Sequence, residues 1–223
     1  MLALDAHPLL PTSRAVSGAV TRLAEQLVKA GVKVERSSPL LPALDAATQL
    51  FFRMLTASIA SLWPAEPYER MRAIAAGLQP DDHSPAAERT RSAVMSFRDW
   101  VGADGARRWL REQWRQFFRE FDLVLCPPFT TVAFAHDHSM PADERTLVID
   151  GEPRPYFQAG LLWAALATAP GLPATVMPVE RSEEGLPVGV QIIGPYLEDR
   201  TPIQFASLVE REFGGFVAPP AYR

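Results

Sequence analysis

The first 35 residues carry a hydrophobic pattern that predicts a strand, a helix and a second strand. Residues 2–4 form a short apolar run typical of a buried strand, and apolar positions then recur every three or four residues over residues 14–30. Gly31 stands where a left-handed residue closes a helix, and residues 32–35 alternate between apolar and polar side chains. Strand, helix and strand at these lengths predict a βαβ unit, and therefore a sheet that is at least partly parallel.

The next part of the chain has a helical pattern that prolines interrupt. The apolar spacing divides it into predicted helices, which cover residues 44–62, 68–76, the stretch after Ser84–Pro85, and 104–121. A segment of this length exceeds what a simple crossover between two strands needs. We therefore interpret residues 43–121 as a helical cap-like insertion.

The C-terminal half begins with a strand that is apolar throughout. Residues 123–126 end at Pro127, which is the profile of a central parallel strand followed by a loop, and ligands of open α/β sheets bind at that carboxyl edge. The remainder is predicted as a loop with a short hairpin near 147–151, a helix over 156–168, strands over 174–178 and 188–193, a helix over 202–211, and a surface tail over 213–223. The predicted fold class is α/β, with a mixed, partly parallel sheet flanked by helices in a single domain over residues 1–223.

Charge and composition narrow the classes of partner. The chain has a net charge of -4, so its overall field does not favour nucleic acid or an acidic membrane surface. The single cysteine, Cys126, excludes an internal disulfide and fits a reducing compartment. The N-terminus does not show the pattern of a signal peptide, and the most apolar stretch, residues 159–179, is broken by proline and glycine. We therefore expect a cytoplasmic protein that binds neither nucleic acid nor membranes.

A run of arginines between Arg107 and Arg119 lies among aromatic residues, a pattern also found in nucleic-acid-binding helices. Glu112 and Glu120 interrupt the run, and the helical spacing places the arginines off the aromatic stripe. The pattern favours a solvated helix face.

The sequence contains no motif that is typical of a catalytic nucleophile. A serine nucleophile needs a base and backbone N–H donors, usually from a glycine-rich turn, whereas Ser37–Ser38 is followed by Pro39 and fits a turn. Cys126 ends an apolar strand, so burial should keep its thiol protonated and inert. The sequence therefore assigns no catalytic residue and no cofactor.

The segment His136–Asp137–His138 is the densest group of polar functional side chains. Its histidines could share a metal ion, but a zinc site needs a third ligand and none stands at a recognisable spacing, so no metal site is predicted. Two interpretations remain: a loop in which Asp137 makes local turn hydrogen bonds, or histidines that help to line a pocket. The candidate pocket residues are Pro128, Phe129, Thr130, His136, Phe157 and Trp163, whose aromatic members would suit an apolar or aryl acyl group.

Three motifs follow one another in the C-terminal third of the chain. They are Gly-Leu-Pro at residues 171–173, Met-Pro-Val at 177–179 and Gly-Leu-Pro-Val-Gly-Val-Gln at 185–191. In this order they resemble the closing segment of the amidase signature family, and most of the remaining chain is similar to the same family. Glu180 departs from the family pattern, in which glycine is more usual at that position.

The resemblance implies the C-terminal portion of the amidase signature fold. It also implies hydrolysis of carboxylic acid amides to an acid and ammonia or an amine, by a Ser–cis-Ser–Lys triad that the family carries in its N-terminal half. Nothing in this sequence matches that triad, because Lys29 and Lys33 belong to the later helix and strand. We therefore expect an incomplete amidase-signature domain that is inactive by itself, either a truncated product or one subunit of a split amidase or amidotransferase. The alternative is a non-catalytic module for small-molecule binding or regulation.

The expected partners follow from the same resemblance. In the full-length family the ligand is a small-molecule amide. For this chain the implied partner is an N-terminal amidase fragment, or a second copy bound through an uncovered sheet edge.

Overall fold

A computed structural model describes residues 1–140 and 144–219 of the chain. The strands are β1 (Leu2–Ala3), β2 (Val124–Cys126), β3 (Thr146–Ile149), β4 (Glu152–Pro155), β5 (Ala174–Arg181) and β6 (Pro187–Ile193). The helices are α1 (Arg14–Lys29), α2 (Leu44–Ala60), α3 (Ala65–Ala76), α4 (Pro85–Ala93), α5 (Phe97–Phe117), α6 (Tyr156–Leu161), α7 (Ala164–Thr168) and α8 (Arg200–Phe213).

The main sheet of the described residues has the strand order β1-β2-β6-β5. Strands β1 and β2 run parallel with Leu2 opposite Val124, whereas β6 is antiparallel to both β2 and β5. A mixed, partly parallel sheet is therefore confirmed. Strand β2 is central, as predicted, but it is parallel to only one of its two neighbours.

The predicted strand over residues 32–35 is reduced to one parallel bridge between Glu35 and Leu2. The backbone N–H of Val32 still closes α1 by donating to Leu27, and the Lys33 carbonyl accepts from the Met1 ammonium at 2.9 Å, but the bridge to β1 forms only at Glu35, the last predicted position. There the N–H of Ala3 donates to the Glu35 carbonyl at 2.9 Å. The βαβ connection through α1 is present, although its second strand is much shorter than predicted.

Alternate residues of the strands build two cores on opposite faces of the sheet. Leu2, Val124 and Ile193 belong to a cluster with α2, α5, α6 and α7, whereas Ala3 and Leu125 belong to a cluster with α1 and α8. This period of two is the geometry of a pleated strand buried on both sides. The domain is thus a three-layer arrangement of helices, sheet and helices.

The helices of residues 43–121 cover one face of that sheet. Helices α2 and α5 place side chains such as Phe51 and Trp114 in the core. The predicted stripe of α2 extends too far, because Ile59 is 41% and Leu62 84% exposed. Helix α5 begins at Phe97 rather than at residue 104, since the Ser96 hydroxyl accepts the Asp99 N–H and caps it.

Two further segments differ in detail from the expectations. The helix predicted over residues 156–168 is divided into α6 and α7 at the buried residues Leu162 and Trp163. The hairpin β3–β4 is confirmed, and its turn residues Asp150 (φ 48°) and Gly151 (φ 89°) both adopt the left-handed backbone that tight hairpin turns favour. In the predicted tail over 213–223, Phe213 still belongs to α8, Phe216 is exposed, and residues 220–223 lie outside the described residues.

Candidate functional site

The carboxyl ends of β1 and β2 lie side by side because these strands are parallel, and the loops that follow them are joined by hydrogen bonds. The N–H of Ser13, the residue before α1, donates to the Thr130 carbonyl at 2.8 Å. The buried hydroxyl of Thr130 donates to the Ala159 carbonyl in α6 at 3.0 Å. Thr130 therefore connects the loop after β2 to both α1 and α6.

The β3–β4 hairpin is fixed to the same edge of the sheet. The Asp150 carboxylate accepts the backbone N–H of Arg14 at 3.0 and 3.3 Å, at the first residue of α1. A carboxylate at this place satisfies a free helix N–H and interacts favourably with the positive end of the helix dipole. The hairpin turn thus acts as a second cap for α1, beside Ser13.

His7 lies in the loop after β1 and is buried against Trp163, with the two rings edge to face at 5.5 Å. Its Nδ1 accepts the N–H of Leu9 at 3.2 Å, which leaves Nε2 to donate to the buried Thr48 hydroxyl at 3.2 Å. Burial lowers the pKa of His7 to about 4, although the negative charge of Asp45 acts to raise it. His7 is therefore neutral at pH 7 and joins the site loop to α2.

An open crevice of about 510 Å³ lies between the loop after β1 and the first turns of α1. Its lining includes the polar side chains of Asp5, Thr12, Arg14, Ser17, Thr21 and Arg22. The Asp5 carboxylate accepts the Thr21 hydroxyl at 2.8 Å. The crevice lies at the carboxyl edge of the parallel strands, which is where α/β sheets bind their ligands.

One wall of the crevice is fixed by an ion pair between Arg22 and Glu180. The Arg22 guanidinium binds both carboxylate oxygens, with Nε to Oε2 at 2.9 Å. This pair raises the pKa of Arg22, chiefly through the side-chain hydrogen bond. Glu180, the departure from the family pattern, thus anchors β5 to α1 where a register shift occurs in the strand.

The six candidate pocket residues are distributed between the core and the surface. Thr130 and Trp163 are fully buried, and the Trp163 indole donates to the Thr12 hydroxyl at 2.8 Å. Phe129 is half-buried beside Gly160, where a Cβ would lie 3.4 Å from its ring, and Pro128 is also half-buried. These four positions lie in or beside the loop contacts of the carboxyl edge, and their role in a pocket stays a prediction.

Phe157 and His136 occupy other surroundings. The Phe157 ring is 38% exposed and packs against Phe52 of α2 at 5.8 Å. His136 is exposed, and its ring lies edge to face with that of His138, with 5.8 Å between the ring centres. Asp137 accepts the N–H of Ser139 at 2.9 Å, which is the local turn hydrogen bond that one interpretation expects. Over residues 1–140 and 144–219, no three His, Cys, Asp or Glu side chains form a group suited to a metal ion.

The two rejected nucleophiles have the surroundings that the sequence indicates. Cys126 is fully buried and accepts the Gln191 amide N–H at 3.3 Å, and burial raises the pKa of its thiol to about 12. The Ser38 hydroxyl accepts the N–H of Leu40 at 3.1 Å, as in a turn. Neither group is activated for attack.

The arginine-rich helix α5 is not simply a solvated face. Arg107 pairs with Asp104, as expected of an exposed helix, but Arg111 reaches across to the Gly-Leu-Pro motif. Its Nε donates to the Pro170 carbonyl at 2.7 Å, and its guanidinium lies 4.3 Å from the centre of the Tyr196 ring. This contact spans two distant segments, so helical spacing gave no signal for it.

Sequence reasoning also missed the crevice. A signal for Asp5 existed, because it follows a predicted strand at the carboxyl end, the usual place for ligand contacts. The pairing of Arg22 with Glu180 joins residues 158 positions apart and carries no such signal.

The site therefore defines an α/β protein with its cavity at the carboxyl edge of a mixed sheet. A family model described as Amidase matches residues 5–202, so the chain belongs to the amidase family. Indoleacetamide hydrolase of Bradyrhizobium diazoefficiens is 26% identical over 203 residues, which are 90% of this chain and 35% of that protein. A glutamyl-tRNA(Gln) amidotransferase subunit of Wolinella succinogenes is 31% identical over 115 residues, which are 52% of this chain and 23% of that protein.

Solved structures share the fold. A glutamyl-tRNA(Gln) amidotransferase subunit of Thermotoga maritima superposes with a TM-score of 0.66 at 22% identity, covering 98% of this chain and 44% of that one. A bacterial aryl acylamidase superposes with a TM-score of 0.63 at 20% identity, covering 96% of this chain and 43% of that one. The chain thus spans less than half the length of these relatives. In the part of the chain that the structure describes, no helix has the length and apolar character needed to cross a membrane.

Proposed function

We propose that this chain is the substrate-side part of an amide hydrolase whose nucleophile and base come from another segment. The observation that carries the proposal is the joined loop edge around Thr130, which neighbours an open crevice and belongs to a chain of the amidase family. The reaction would convert a carboxylic acid amide into an acid and ammonia or an amine. By itself the chain would be inactive.

The positions of the two lysines support the proposal that the catalytic base comes from another segment. Lys29 is the last residue of α1, and it lies seven residues, or about 10 Å along the helix, beyond Arg22, the last residue of α1 that lines the crevice. The Lys33 ammonium lies 3.7 Å from Glu35 on the exposed surface. Since a triad lysine must reach the reacting serine, neither lysine is placed for that role.

The aromatic residues of the carboxyl edge favour an aryl or other apolar acyl group as the substrate. Phe129 stacks on Phe134 at 6.0 Å, and Phe134 contacts Tyr156 edge to face at the same distance. Two relatives carry compatible names, since one hydrolyses indoleacetamide and another is an aryl acylamidase. The free, buried Cys126 supports a cytoplasmic location, where thiols stay reduced.

The proposed partner is a polypeptide that corresponds to the N-terminal half of an amidase. Support comes from the relatives that are named as an amidotransferase subunit, which by that name work within an assembly. Self-association through the outer edge of β5 would be a competing state, because Val176 on that strand is 57% exposed.

A chimera tests the proposal directly. Residues 5–202 would replace the matching segment of the indoleacetamide hydrolase of Bradyrhizobium diazoefficiens, and ammonia release from indoleacetamide would be measured beside the intact parent. Hydrolysis by the chimera, and its loss on treatment with a serine-directed reagent, is the expected result. A folded chimera that binds indoleacetamide without hydrolysing it would contradict the proposal and favour a non-catalytic binding module.

A further inference from the structure

Helix α5 has an outer face that the rest of the described chain leaves open. Its inner face packs Leu110, Trp114 and Phe117 into the core. On the far side, positions three and four residues apart are exposed or half-buried, so they form one line along the helix. We call this line the α5 stripe, and it consists of Arg98, Val101, Gly102, Gly105, Trp109 and Glu112.

The two glycines of the stripe have no role in the packing of the chain itself. Glycine weakens a helix interior relative to alanine, so a helical glycine needs a packing reason. Gly18 of α1 and Gly160 of α6 have one, since a Cβ there would meet another side chain at 2.8 and 3.4 Å. A Cβ at Gly102 or Gly105 would have no such contact within 4 Å. The bare backbone at these two positions suits a close neighbour from outside the chain.

Trp109 is a large apolar projection beside this bare backbone. Its side chain is 61% exposed, and Val101 on the same stripe is exposed as well. An aromatic side chain next to a recess is a typical anchor of protein interfaces. Arg108 does not fill the recess, because its Nε lies 3.4 Å from the Asp104 carboxylate. The stripe therefore offers both a projection and a recess.

Opposite charges stand near the two ends of the stripe, at equal distances from its centre. Arg98 is seven residues before Gly105 and Glu112 is seven residues after it, about 10 Å along the helix in each direction. Arg98 has no ion pair within residues 1–140 and 144–219, and Glu112 has one contact, from Arg115 at 3.4 Å. When the helix is turned end to end about Gly105, Arg98 falls on Glu112. The stripe is therefore complementary in charge to a second copy of itself.

We infer that the α5 stripe is the contact surface of a homodimer, in which two α5 helices pack antiparallel across a two-fold axis at Gly105. The absence of a side chain at Gly105 lets the helix axes approach to about 8 Å. Trp109 lies four residues after the axis and Gly102 three residues before it, so each indole packs over Gly102 of the partner. Arg98 of each copy pairs with Glu112 of the other. Every contact is made twice, as a closed dimer requires.

This inference does not rest on the proposed function, because α5 and the crevice lie on opposite sides of the sheet. Helix α5 contributes to the core cluster that contains Trp114, whereas α1, which lines the crevice, contributes to the cluster on the other face. A dimer through α5 therefore leaves the crevice open. It also differs from self-association through the outer edge of β5, which uses other residues.

Sedimentation equilibrium of the purified full chain over a range of concentrations tests the inference. A reversible equilibrium between monomer and dimer is expected, without larger species, because the contact is closed. Val176→Lys, on the outer edge of β5, should leave this equilibrium unchanged. A chain that stays monomeric at every concentration would overturn the inference and leave the α5 stripe to a different polypeptide. Growth beyond a dimer, or loss of the dimer in Val176→Lys, would also overturn it.

Exchange of the two charges identifies the contact. Arg98→Glu places two carboxylates together at each end of the dimer, and it should raise the dissociation constant of the dimer at least about tenfold. Glu112→Arg should have the same effect through paired guanidinium groups. The double variant with both substitutions rebuilds an ion pair at each end and should recover the dimer at low ionic strength. Unchanged dimerisation in either single variant, or no recovery in the double variant, would overturn the inference.

Gly105→Gln tests the crossing point of the helices. Glutamine is the better helix former, so the monomer of this variant should resist urea at least as well as the parent. Its dimer dissociation constant should nevertheless rise at least about tenfold, because the new side chain separates the helices. Ala106→Gln, at the next and exposed position outside the stripe, is the matched control and should keep the dimer. Equal dimerisation of Gly105→Gln and Ala106→Gln would overturn the inference.

Discussion

The Arg111 guanidinium donates from Nε to the carbonyl oxygen of Pro170 at 2.7 Å, and so ties helix α5 to the turn that leads into β5. The same group lies over the Tyr196 ring, in the segment that follows β6. A side chain from the helical layer therefore holds both ends of the β5–β6 hairpin at one edge of the sheet. Gly171, in the left-handed backbone region at φ 75°, lets the guanidinium approach this turn.

Loss of this contact should destabilise the domain. Arg111→Ala is expected to lower the free energy of unfolding by about 2 kcal/mol, because a charged hydrogen bond and a cation–π contact are lost together. Arg111→Lys should lose less, since it keeps the charge but not the planar group. Urea denaturation measures both variants. Arg108→Ala, on the exposed face of the same helix, should cost under about 0.5 kcal/mol, and an equal cost for the two alanine variants would refute the bridging role.

The two fully buried tryptophans form a matched pair. Trp163 donates its indole N–H to Thr12, whereas the indole nitrogen of Trp114 has no hydrogen-bond partner within the described residues. Trp163→Phe should therefore cost about 1 kcal/mol more than Trp114→Phe, because only Trp163→Phe breaks a hydrogen bond. Thermal and urea unfolding of both variants give the difference. A larger loss for Trp114→Phe would show that packing, and not the hydrogen bond to the site loop, dominates.

Acid should weaken the fold through His7. Its pKa is about 4 in the folded protein and 6.5 ordinarily, so between these values the unfolded chain binds more protons than the folded one. The contribution of His7 is fully present above pH 6.5 and falls as the pH drops towards 4, by up to about 3 kcal/mol. His7→Gln, which keeps a donor towards Thr48, should flatten this part of the pH profile of unfolding. His136→Gln, at an exposed position, is the control. If His7→Gln leaves the pH profile unchanged, His7 does not cause the loss of stability in acid.

The ion pair of Arg22 and Glu180 should couple α1 to β5. A double-mutant cycle with Arg22→Ala and Glu180→Ala is expected to give a coupling energy of about 1 kcal/mol that decreases with added salt, because the contact is bidentate but partly exposed. The more exposed pair of Arg70 and Glu66 within α3 is the reference, with a coupling of about 0.3 kcal/mol. A coupling no larger than this reference would contradict a structural role for Glu180.

Local pattern was sufficient to predict much of the fold. The continuous apolar runs at residues 2–4 and 123–126 predicted buried strands, which the structure confirms, and Gly31 ends α1 in the left-handed conformation that its position predicted. The pattern failed where long-range packing decides the outcome. Residues 32–35 alternate like a strand, but Val32 is used in the closing hydrogen bond of α1 and only Glu35 forms a bridge to β1.

The candidate site shows the same limit. The loop after β2 could be predicted to lie at the ligand-binding edge, since ligands of α/β sheets bind beyond the carboxyl ends of such apolar strands. The pairing of Arg22 with Glu180 and the reach of Arg111 to Pro170 join remote segments, and neither has a periodic signature. Trp163 could be identified as an apolar pocket candidate, but only the fold shows that its indole N–H donates to the Thr12 hydroxyl.

The central claim is that this chain carries the substrate side of an amide hydrolase without the reacting groups. The most direct measurement is ammonia release from indoleacetamide by the purified chain, with no other polypeptide present. The account predicts no release above the uncatalysed background. Turnover that a serine-directed reagent abolishes would contradict it, because a complete nucleophilic site would then exist within these 223 residues.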